Sequence, residues 1–397
     1  LMILCLEHAN VYTPDDNITD GLVVVADGRI TFVGPFTHLT LPETAVRLDG
    51  RGLHLVPGFI DLQVNGGFGH DFTDDPQTIW PVARRLSAFG VTSFLPTIIT
   101  SPLENMAAAM KVWADAPLHF AGAWPLGLHL EGPFLHPAKK GAHNPAHLRP
   151  PDVTAVPHWS LENGVRLVTL APELPGADGL IRALVERGVV VSAGHSTATF
   201  AEAQAGFAAG IRYGTHLFNA MPGWHHREPG LAGALLADGR LTVGFIADGE
   251  HVHPSLAAVV WRLLGNGRLN LITDAMAALG MPPGRYKLGD FDVAVDATTA
   301  RLPDGTLAGC ILSLDAALRN LMRFTGCTLA EALPTITSTP AHLLNLPHKG
   351  RITPGSDADL VLLTPDLQVQ ATIIGGEIVY QRDAFLELVN SAAFGKD

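Results

Sequence analysis

Histidine is concentrated in one third of the sequence, where it predicts a site for metal or acid–base chemistry. Of the 18 histidines in 397 residues, 12 lie between His119 and His253. Histidine is the commonest metal ligand in proteins, and its charge changes near neutral pH. We therefore expect the functional site to draw on this segment.

Three polar residues follow three different apolar runs of this region. Glu131 ends one run, and His195 and His216 lie at the ends of two others. In a parallel barrel these strand ends converge on one mouth. Two imidazoles and a carboxylate would there hold a divalent metal and leave a position for water, which is the pattern of a catalytic metal site. The metal would lower the pKa of that water and polarise a carbonyl oxygen.

Two further residues predict the rest of a hydrolytic site. Asp274 ends the last apolar run, where it is placed to take a proton from the water and return it to a leaving amine. His143 is placed to donate a hydrogen bond to the carbonyl oxygen as negative charge develops there.

These residues also have simpler structural interpretations. A single histidine near a strand end is more often a satisfied polar residue than a ligand, and Asp274 alone could cap the helix that follows. His225, His226 and Arg227 fit a solvated turn, although together with His251 they could bind a phosphate. Equivalent placement at three separate strand ends favours the functional interpretation of the three metal ligands.

The elements that position these residues alternate between short apolar runs and helical segments. The predicted strands are 59–64, 93–97, 125–130, 166–170, 189–193, 213–217, 242–246 and 269–273, and helices are expected at 76–89, 102–114, 177–187, 198–209 and 254–264. Eight strands with intervening helices fit an α/β fold of the (β/α)8 TIM-like barrel type better than an open sheet. Two long loops, 134–159 and 221–238, are expected to form the substrate pocket.

Both ends of the chain predict β-structure. Two apolar runs flank Asp27-Gly28, a preferred hairpin turn, and similar runs recur between residues 359 and 380. Neither end has enough strands to bury a face alone. We therefore expect a small β-sandwich domain built from residues 1–54 and 347–397, beside a metal-dependent catalytic barrel domain of residues 55–346.

Composition excludes several classes of partner. With 26 basic and 38 acidic residues, the net charge of −12 argues against nucleic acid and anionic membranes. No apolar run approaches the roughly 18 residues of a membrane span, and the first residues do not resemble a signal peptide. Cys5, Cys310 and Cys327 share no metal-type spacing, so we expect reduced thiols in a cytoplasmic protein.

Eight stretches carry a resemblance to a known family. They are 57–66, 129–134, 140–145, 192–196, 215–221, 248–251, 273–275 and 307–309. They include His-Leu-Glu-Gly-Pro and Thr-His-Leu-Phe-Asn-Ala-Met, the two most specific motifs. The sequence resembles the amidohydrolase superfamily over nearly its whole length and, within it, the N-acetylglucosamine-6-phosphate deacetylase family.

This resemblance implies an activity and a cofactor. It implies hydrolysis of N-acetyl-D-glucosamine 6-phosphate to D-glucosamine 6-phosphate and acetate, in cytoplasmic amino-sugar catabolism. Glu131, His195 and His216 would hold one divalent metal ion per subunit. Two nitrogens and one oxygen suit zinc first, with iron, manganese or cobalt as alternatives. Asp274 would be the general acid/base, and His143 would polarise the acetamide carbonyl.

The resemblance also implies a set of contacts to the phosphorylated amino sugar. The residues concerned are Ala142, His143, Asn219, Ala220, Arg227, His251, Leu307, Ala308 and Gly309. Arg227 would reach the phosphate across a subunit interface, so that a homodimer is expected.

One departure from the superfamily bears on the number of metals. Many amidohydrolases hold a second ion through Asp-x-His-x-His on the first strand, but this chain has Asp61, Gln63 and Asn65 there. Amides are poor ligands for zinc or iron. The fourth predicted strand, 166–170, offers no lysine for a carbamylated bridge, so a single ion is expected.

Three other functions remain as alternatives. A relative acting on N-acetylgalactosamine 6-phosphate would carry the same groups. A cyclic-amide hydrolase is disfavoured because the second-metal ligands and the lysine are missing. A catalytically inactive scaffold is disfavoured because Glu131, His195, His216, Asp274 and His143 are all present.

Overall fold

The computed structural model describes residues 3–37 and 45–382. Residues 1, 2, 38–44 and 383–397, which belong to the predicted terminal domain, lie outside the described residues. In the described part of the chain, a parallel barrel sheet and a mixed terminal sheet are the two largest sheets.

The strands are named in chain order. They are β1 Ile3–Tyr12, β2 Asn17–Ala26, β3 Arg29–Pro35, β4 Val46–Asp49, β5 His54–Pro57, β6 Phe59–Val64, β7 Gly66–Gly67, β8 His70–Asp71, β9 Val91–Ile99, β10 Trp124–Pro125, β11 Leu128–Glu131, β12 Val165–Leu170, β13 Val190–Ala193, β14 Tyr213–Gly214, β15 Thr242–Phe245, β16 Leu269–Leu271, β17 Gly284–Leu288, β18 Phe291–Val295, β19 Ala300–Arg301, β20 Leu360–Leu363, β21 Val369–Ile374 and β22 Glu377–Gln381.

The helices follow the same order. The α-helices are α1 Ile79–Leu86, α2 Leu103–Ala114, α3 Ala177–Glu186, α4 Phe200–Ala209, α5 Gly230–Ala237, α6 Pro254–Arg268, α7 Leu314–Thr325, α8 Leu329–Ala332 and α9 Ser338–Leu343. Short 3-10 helices lie at Pro76–Thr78, Ser87–Phe89, Pro137–Lys139, Pro145–His147, Val153–Ala155 and Leu333–Ile336. Among the described residues, no helix combines the length and the apolar character needed to cross a bilayer.

Eight parallel strands form the barrel that the sequence predicts. They pair in the order β6, β9, β11, β12, β13, β14, β15 and β16. A parallel bridge between Val64 and Ala275 joins the end of β6 to the segment after β16. Every residue of β9 is buried, as a strand covered on both faces requires. The predicted (β/α)8 barrel is confirmed, and its eight runs all contain a strand.

The helical prediction over 76–89 shows how the local sequence divides an element. Asp75 accepts a hydrogen bond from the amide of Gln77 and starts a 3-10 turn that precedes α1. Gly90 ends the segment in the left-handed conformation with φ 78°, which glycine adopts at little cost. The region is therefore one α-helix between two 3-10 turns rather than a single helix.

The two ends of the chain share one sheet. Its strand order is β22-β21-β20-β5-β1-β2-β3, with β4 paired to β1. The junction is the antiparallel pair of β20 with β5, so neither end completes the sheet alone. This confirms the terminal β-domain. The exact domain boundaries stay predictions; β5 extends to Pro57, beyond the expected limit at residue 54.

A small antiparallel sheet is an addition to the predicted fold. Strands β17, β18 and β19 lie between the end of the barrel sheet and α7. Two alternating runs around Gly289-Asp290 are the hairpin pattern that could have revealed it. The sheet contributes Leu288 and Arg301 to the wall of a cavity of about 600 Å³.

Candidate active site

Three side chains from three barrel strands meet at the mouth of the barrel. Glu131 is the last residue of β11, and His195 and His216 each come two residues after a strand end. Glu131 Oε1 lies 3.1 Å from His195 Nε2 and 3.0 Å from His216 Nε2. The two Nε2 atoms are 3.1 Å apart. The structure therefore brings together the three residues that the sequence predicts as ligands.

The hydrogen bonding of this cluster fits a cation. His195 Nδ1 lies 2.9 Å from the carbonyl oxygen of Lys139, which assigns the ring proton to Nδ1 and leaves a lone pair on Nε2. That lone pair faces the carboxylate and the second imidazole, both of which can act as ligands. Ligand atoms of a tetrahedral zinc site lie about 3.3 Å from one another, close to the separations here. The donor set thus suits one divalent ion.

Electrostatics keep the carboxylate of this cluster ionised. Burial by itself raises the pKa of Glu131, but the positive charge that the surrounding imidazoles can carry outweighs burial and holds the pKa well below its usual value. Its side chain is only 3% exposed. An ionised, buried carboxylate needs a positive partner, which a metal would supply.

Asp274 is connected to the three predicted ligands through hydrogen bonds from side-chain amides. Its Oδ1 accepts hydrogen bonds from Asn65 Nδ2 at 2.7 Å and from Gln63 Nε2 at 3.1 Å. The same Gln63 nitrogen lies 3.1 Å from Glu131 Oε1, and Gln63 Oε1 accepts from the hydroxyl of Thr215. Burial, reinforced by the charge of Glu131, raises the pKa of Asp274. A raised pKa suits a group that must hold a proton during a reaction.

His143 is a neutral donor beside the same cluster. Burial and the neighbouring His195 lower its pKa to about 3. The backbone N–H of Thr100 points at His143 Nδ1 from 3.3 Å, so Nδ1 is an acceptor and the ring proton sits on Nε2. His143 Nε2 lies 3.7 Å from Glu131 Oε2. The ring therefore presents an N–H group next to the predicted metal position.

The backbone is strained at two of the predicted metal ligands and at the predicted acid/base. His195, His216 and Asp274 have φ values of 49°, 28° and 50°, in the left-handed region. Residues other than glycine rarely occupy this region, and such strain clusters at functional sites. The tight turns that end these barrel strands thus direct the three side chains into the mouth.

A cavity of about 600 Å³ opens over these groups. Its lining includes the following predicted residues: Glu131, Ala142, His143, His195, His216, Asn219, Ala220, His251, Asp274, Leu307 and Gly309. Ala308 is fully buried in an apolar cluster next to the cavity. Arg227 is exposed and contacts His226 at 2.9 Å, and it is not among the residues that line the cavity.

Some residues of the site escaped the sequence analysis. Gln63 and Asn65 were considered only as missing metal ligands, whereas the structure gives them hydrogen bonds to Asp274. Thr100, which orients His143, was not considered. Gln63 is the second-last residue of β6, and Asn65 and Thr100 directly follow β6 and β9, so the rule that located Glu131 could have found all three.

Comparison with known proteins places this arrangement in a family. A sequence model described as the amidohydrolase family matches residues 54–379. The chain belongs to the amidohydrolase family. Members of this family are metal-dependent, in keeping with the cluster of Glu131, His195 and His216 in this amidohydrolase.

Individual relatives of this amidohydrolase are named for one specific reaction, the deacetylation of a phosphorylated amino sugar. N-acetylglucosamine-6-phosphate deacetylase of Homo sapiens is 44% identical over 357 residues, covering 85% of this chain and 86% of that enzyme. N-acetylgalactosamine-6-phosphate deacetylase of Escherichia coli O157:H7 is 38% identical over 378 residues, covering 94% and 98%. A mutant of the Mycobacterium smegmatis N-acetyl-D-glucosamine-6-phosphate deacetylase, solved with N-acetyl-D-glucosamine-6-phosphate, has a TM-score of 0.87 at 35% identity, covering 96% of this chain and 99% of that one.

Proposed function

We propose that this amidohydrolase removes the acetyl group from N-acetyl-D-glucosamine 6-phosphate, giving D-glucosamine 6-phosphate and acetate. The observation that carries the proposal is the convergence of one ligand cluster, Asp274 and His143 on a single cavity. Relatives named for this reaction, 36% to 44% identical, support the choice of substrate.

We propose one divalent ion on Glu131, His195 and His216. Two nitrogens and a carboxylate oxygen favour zinc first, with iron, manganese or cobalt as alternatives. When bound, this ion would activate water and polarise the acetamide carbonyl. Gln63 and Asn65 offer amides, which are poor ligands, so we propose no second ion.

The chain's own residues would then handle the charge and the protons. His143 donates its Nε2 hydrogen to the carbonyl oxygen as that oxygen becomes negative. Asp274 accepts a proton from the attacking water while the new carbon–oxygen bond forms. It gives that proton to the sugar nitrogen as the carbon–nitrogen bond breaks, which releases acetate and the amine. Gln63 and Asn65 hold the carboxyl group of Asp274 in place through both steps.

The substrate contacts follow from the lining of the cavity. Ala142, Asn219, Ala220 and His251 and the segment 307–309 would bind the phosphorylated sugar, with Ala308 contributing through its backbone. The exposed Arg227 is not among the residues that line this cavity. We therefore propose a homodimer in which Arg227 reaches the phosphate held in the partner subunit.

We also propose a cytoplasmic role in amino-sugar catabolism. The three thiols, Cys5, Cys310 and Cys327, are free and buried, which suits a reducing compartment. A sugar phosphate is itself an intracellular type of metabolite, because its charge prevents it from crossing membranes.

A second candidate function differs only in the sugar. The Escherichia coli relative named for N-acetylgalactosamine 6-phosphate is 38% identical over 94% of this chain. The two substrates are epimers, so that the same ligand cluster, Asp274 and His143 could serve either one. The difference must come from contacts to a single hydroxyl group.

One assay tests the proposal and separates the two candidates. Acetate release is measured from N-acetyl-D-glucosamine 6-phosphate, from its galacto epimer and from unphosphorylated N-acetylglucosamine, with and without chelator. The proposal expects fastest turnover of the phosphorylated gluco sugar and loss of turnover with chelator. Preference for the galacto epimer would favour the second function, and no acetate from any of the three would refute both.

A further inference from the structure

The imidazole of His251, one of the proposed substrate contacts, is paired with a carboxylate, Asp248, that has no part in the reaction described above. His251 Nδ1 lies 2.6 Å from Asp248 Oδ2, in the segment between β15 and α6. The side chains of His251 and Asp248 are only 6% and 8% exposed. His251 lines the cavity, whereas Asp248 does not. The aspartate therefore stands behind the imidazole, on the side away from a bound sugar.

The carboxylate of Asp248 is held as a rigid acceptor. Its Oδ1 accepts the backbone N–H groups of Glu250 and His251, both at 2.9 Å. Its Oδ2 faces His251 Nδ1 and also the thiol of Cys310, whose Sγ lies 3.4 Å away. The two backbone N–H groups and the Cys310 thiol are all donors, so Asp248 is bound as the anion. Its partner nitrogen Nδ1 must then carry a proton, and Nε2 is the nitrogen left for the cavity.

Cys310 connects this pair to the catalytic end of the barrel. Its backbone N–H donates to the carbonyl oxygen of Asp274 at 2.8 Å, while its side chain reaches Asp248. The residue before it, Gly309, lines the cavity. The position of Asp248, and through it that of His251, is thus fixed relative to the proposed acid/base.

We propose that Asp248 is a positioning residue for substrate binding: by accepting a hydrogen bond from Nδ1 of His251 it holds the imidazole with Nε2 toward the cavity, where the phosphate of the sugar would bind. The need is electrostatic, because the chain carries a net charge of −12 and a phosphate must bind against that field. With Nδ1 donating to Asp248, a phosphate at Nε2 would lie at the opposite edge of the ring, so that His251 would bridge two anions. This inference rests on the proposed function, since it assumes that His251 contacts the phosphorylated sugar.

The decisive variant is Asp248→Asn. Two backbone N–H groups require an oxygen at the Oδ1 position, so the new NH2 group must face His251 Nδ1. An amide donor there forces Nδ1 to become an acceptor, so that the ring keeps a single proton, on Nε2, and can no longer donate to two anions. The contact with the phosphate would then change from a charge-assisted to a neutral hydrogen bond, which is roughly half as strong and corresponds to about 3- to 10-fold in binding. We expect KM for the phosphorylated sugar to rise by about that factor, while kcat changes less than about threefold and metal content is unchanged.

Two comparisons distinguish positioning from a general structural effect. In a His251→Gln background, Asp248→Asn should change KM no further, because its partner is gone. With unphosphorylated N-acetylglucosamine, kcat/KM should be the same in the wild type and in Asp248→Asn. Asp296→Asn is a matched control, because Asp296 likewise accepts two backbone N–H groups in a turn but does not line the cavity.

Other results would overturn the inference. These are a fall in kcat at unchanged KM, an equal effect on the unphosphorylated sugar, or a full effect of Asp248→Asn in the His251→Gln background. The binding of inorganic phosphate to the metal-loaded enzyme, measured by calorimetry, tests the inference without requiring turnover. Equal phosphate affinity in the wild type and in Asp248→Asn would refute the role of Asp248. If the wild type released no acetate, the proposed function would be refuted instead.

Discussion

The side-chain amide of Gln63 donates to Asp274 Oδ1 over 3.1 Å, and the same nitrogen lies 3.1 Å from Glu131 Oε1. A neutral amide thus stands between the proposed proton carrier and the proposed metal ligand. It occupies one of the positions at which many amidohydrolases bind a second ion. Its two hydrogens can stabilise two carboxylates, which is part of what a second cation would do.

Replacing Gln63 with leucine tests this arrangement. Gln63→Leu removes the hydrogen bonds to Asp274 and Glu131, together with the acceptor of the Thr215 hydroxyl, at similar volume, while Asn65 still holds Asp274. We expect kcat to fall about 10-fold or more, because a hydrogen bond to a charged group contributes about 1.5–3 kcal/mol. Metal analysis should still find one ion per chain. Gln370→Leu is the matched control, since Gln370 is a buried glutamine of β21 in the terminal sheet. Full activity in Gln63→Leu would contradict the role of the amide.

Asp274→Asn should separate metal binding from proton transfer. An asparagine keeps an oxygen for the contacts with Gln63 and Asn65, but it cannot take a proton from water. We expect turnover to fall by about 10³-fold or more with metal content unchanged. The exposed Asp178→Asn is a control for loss of a carboxylate. Substantial residual turnover in Asp274→Asn would mean that another group carries the proton.

His143→Gln should lower turnover without removing the metal. The neutral ring of His143 offers an Nε2–H group, and a glutamine cannot place its amide at the same point. Removing one donor of this kind costs about 10²- to 10³-fold in kcat. Steady-state kinetics and metal analysis check the result, with the exposed His158→Gln as control. Loss of the ion in His143→Gln would instead indicate that His143 is a ligand.

Removal of the metal should affect stability as well as turnover. Without an ion, the buried Glu131 carboxylate and two imidazoles lack a shared cation. Chelation is therefore expected to abolish acetate release and to lower the Tm, and added zinc should restore both, because a ligand of the native state stabilises it. The same titration on Glu131→Gln should show much weaker metal binding. Undiminished affinity in that variant would exclude Glu131 from the ligand set.

The buried carboxyl group of Asp61 should make the free energy of unfolding depend on pH. Burial raises its pKa from 3.8 to about 7, despite hydrogen bonds from Thr273 and Gln63. Between these two values the folded chain keeps a proton that the unfolded chain has lost. The contribution of Asp61 to stability is therefore present below about pH 4 and is lost as pH rises through 7, with an upper limit of about 4 kcal/mol.

Asp61→Asn removes this contribution at constant shape. The amide oxygen can accept the N–H groups of Gln63 and Thr273, and the hydroxyl of Thr273 can turn toward the carbonyl of Gln63, 3.2 Å away. Denaturant unfolding at pH 4, 5.5 and 7 should show that the variant gains stability relative to the wild type as pH rises. A constant difference across this range would contradict the raised pKa.

The local sequence was sufficient to predict the barrel strands, the terminal β-domain and the identity of the reactive groups. Period and length of the apolar runs predicted the barrel strands, because a strand buried on both faces must be apolar along its length. The positions of Glu131, His195, His216 and Asp274 at strand ends followed from the same pattern. Likewise, the strand-like runs at both ends predicted a shared β-domain, because neither set could bury a face alone.

The tertiary structure decided the relations between groups that are distant in the chain. Thr100 sets which nitrogen of His143 carries the proton, and Gln63 joins Glu131 to Asp274 across 68 and 211 residues. No local pattern encodes such distances, since they depend on how the barrel closes at Val64 and Ala275. The sequence by itself thus determined which chemical groups are present and on which strand ends they lie. Only the closed barrel determined their separations, protonation states and hydrogen bonds, because these depend on burial and on neighbours brought from elsewhere in the chain.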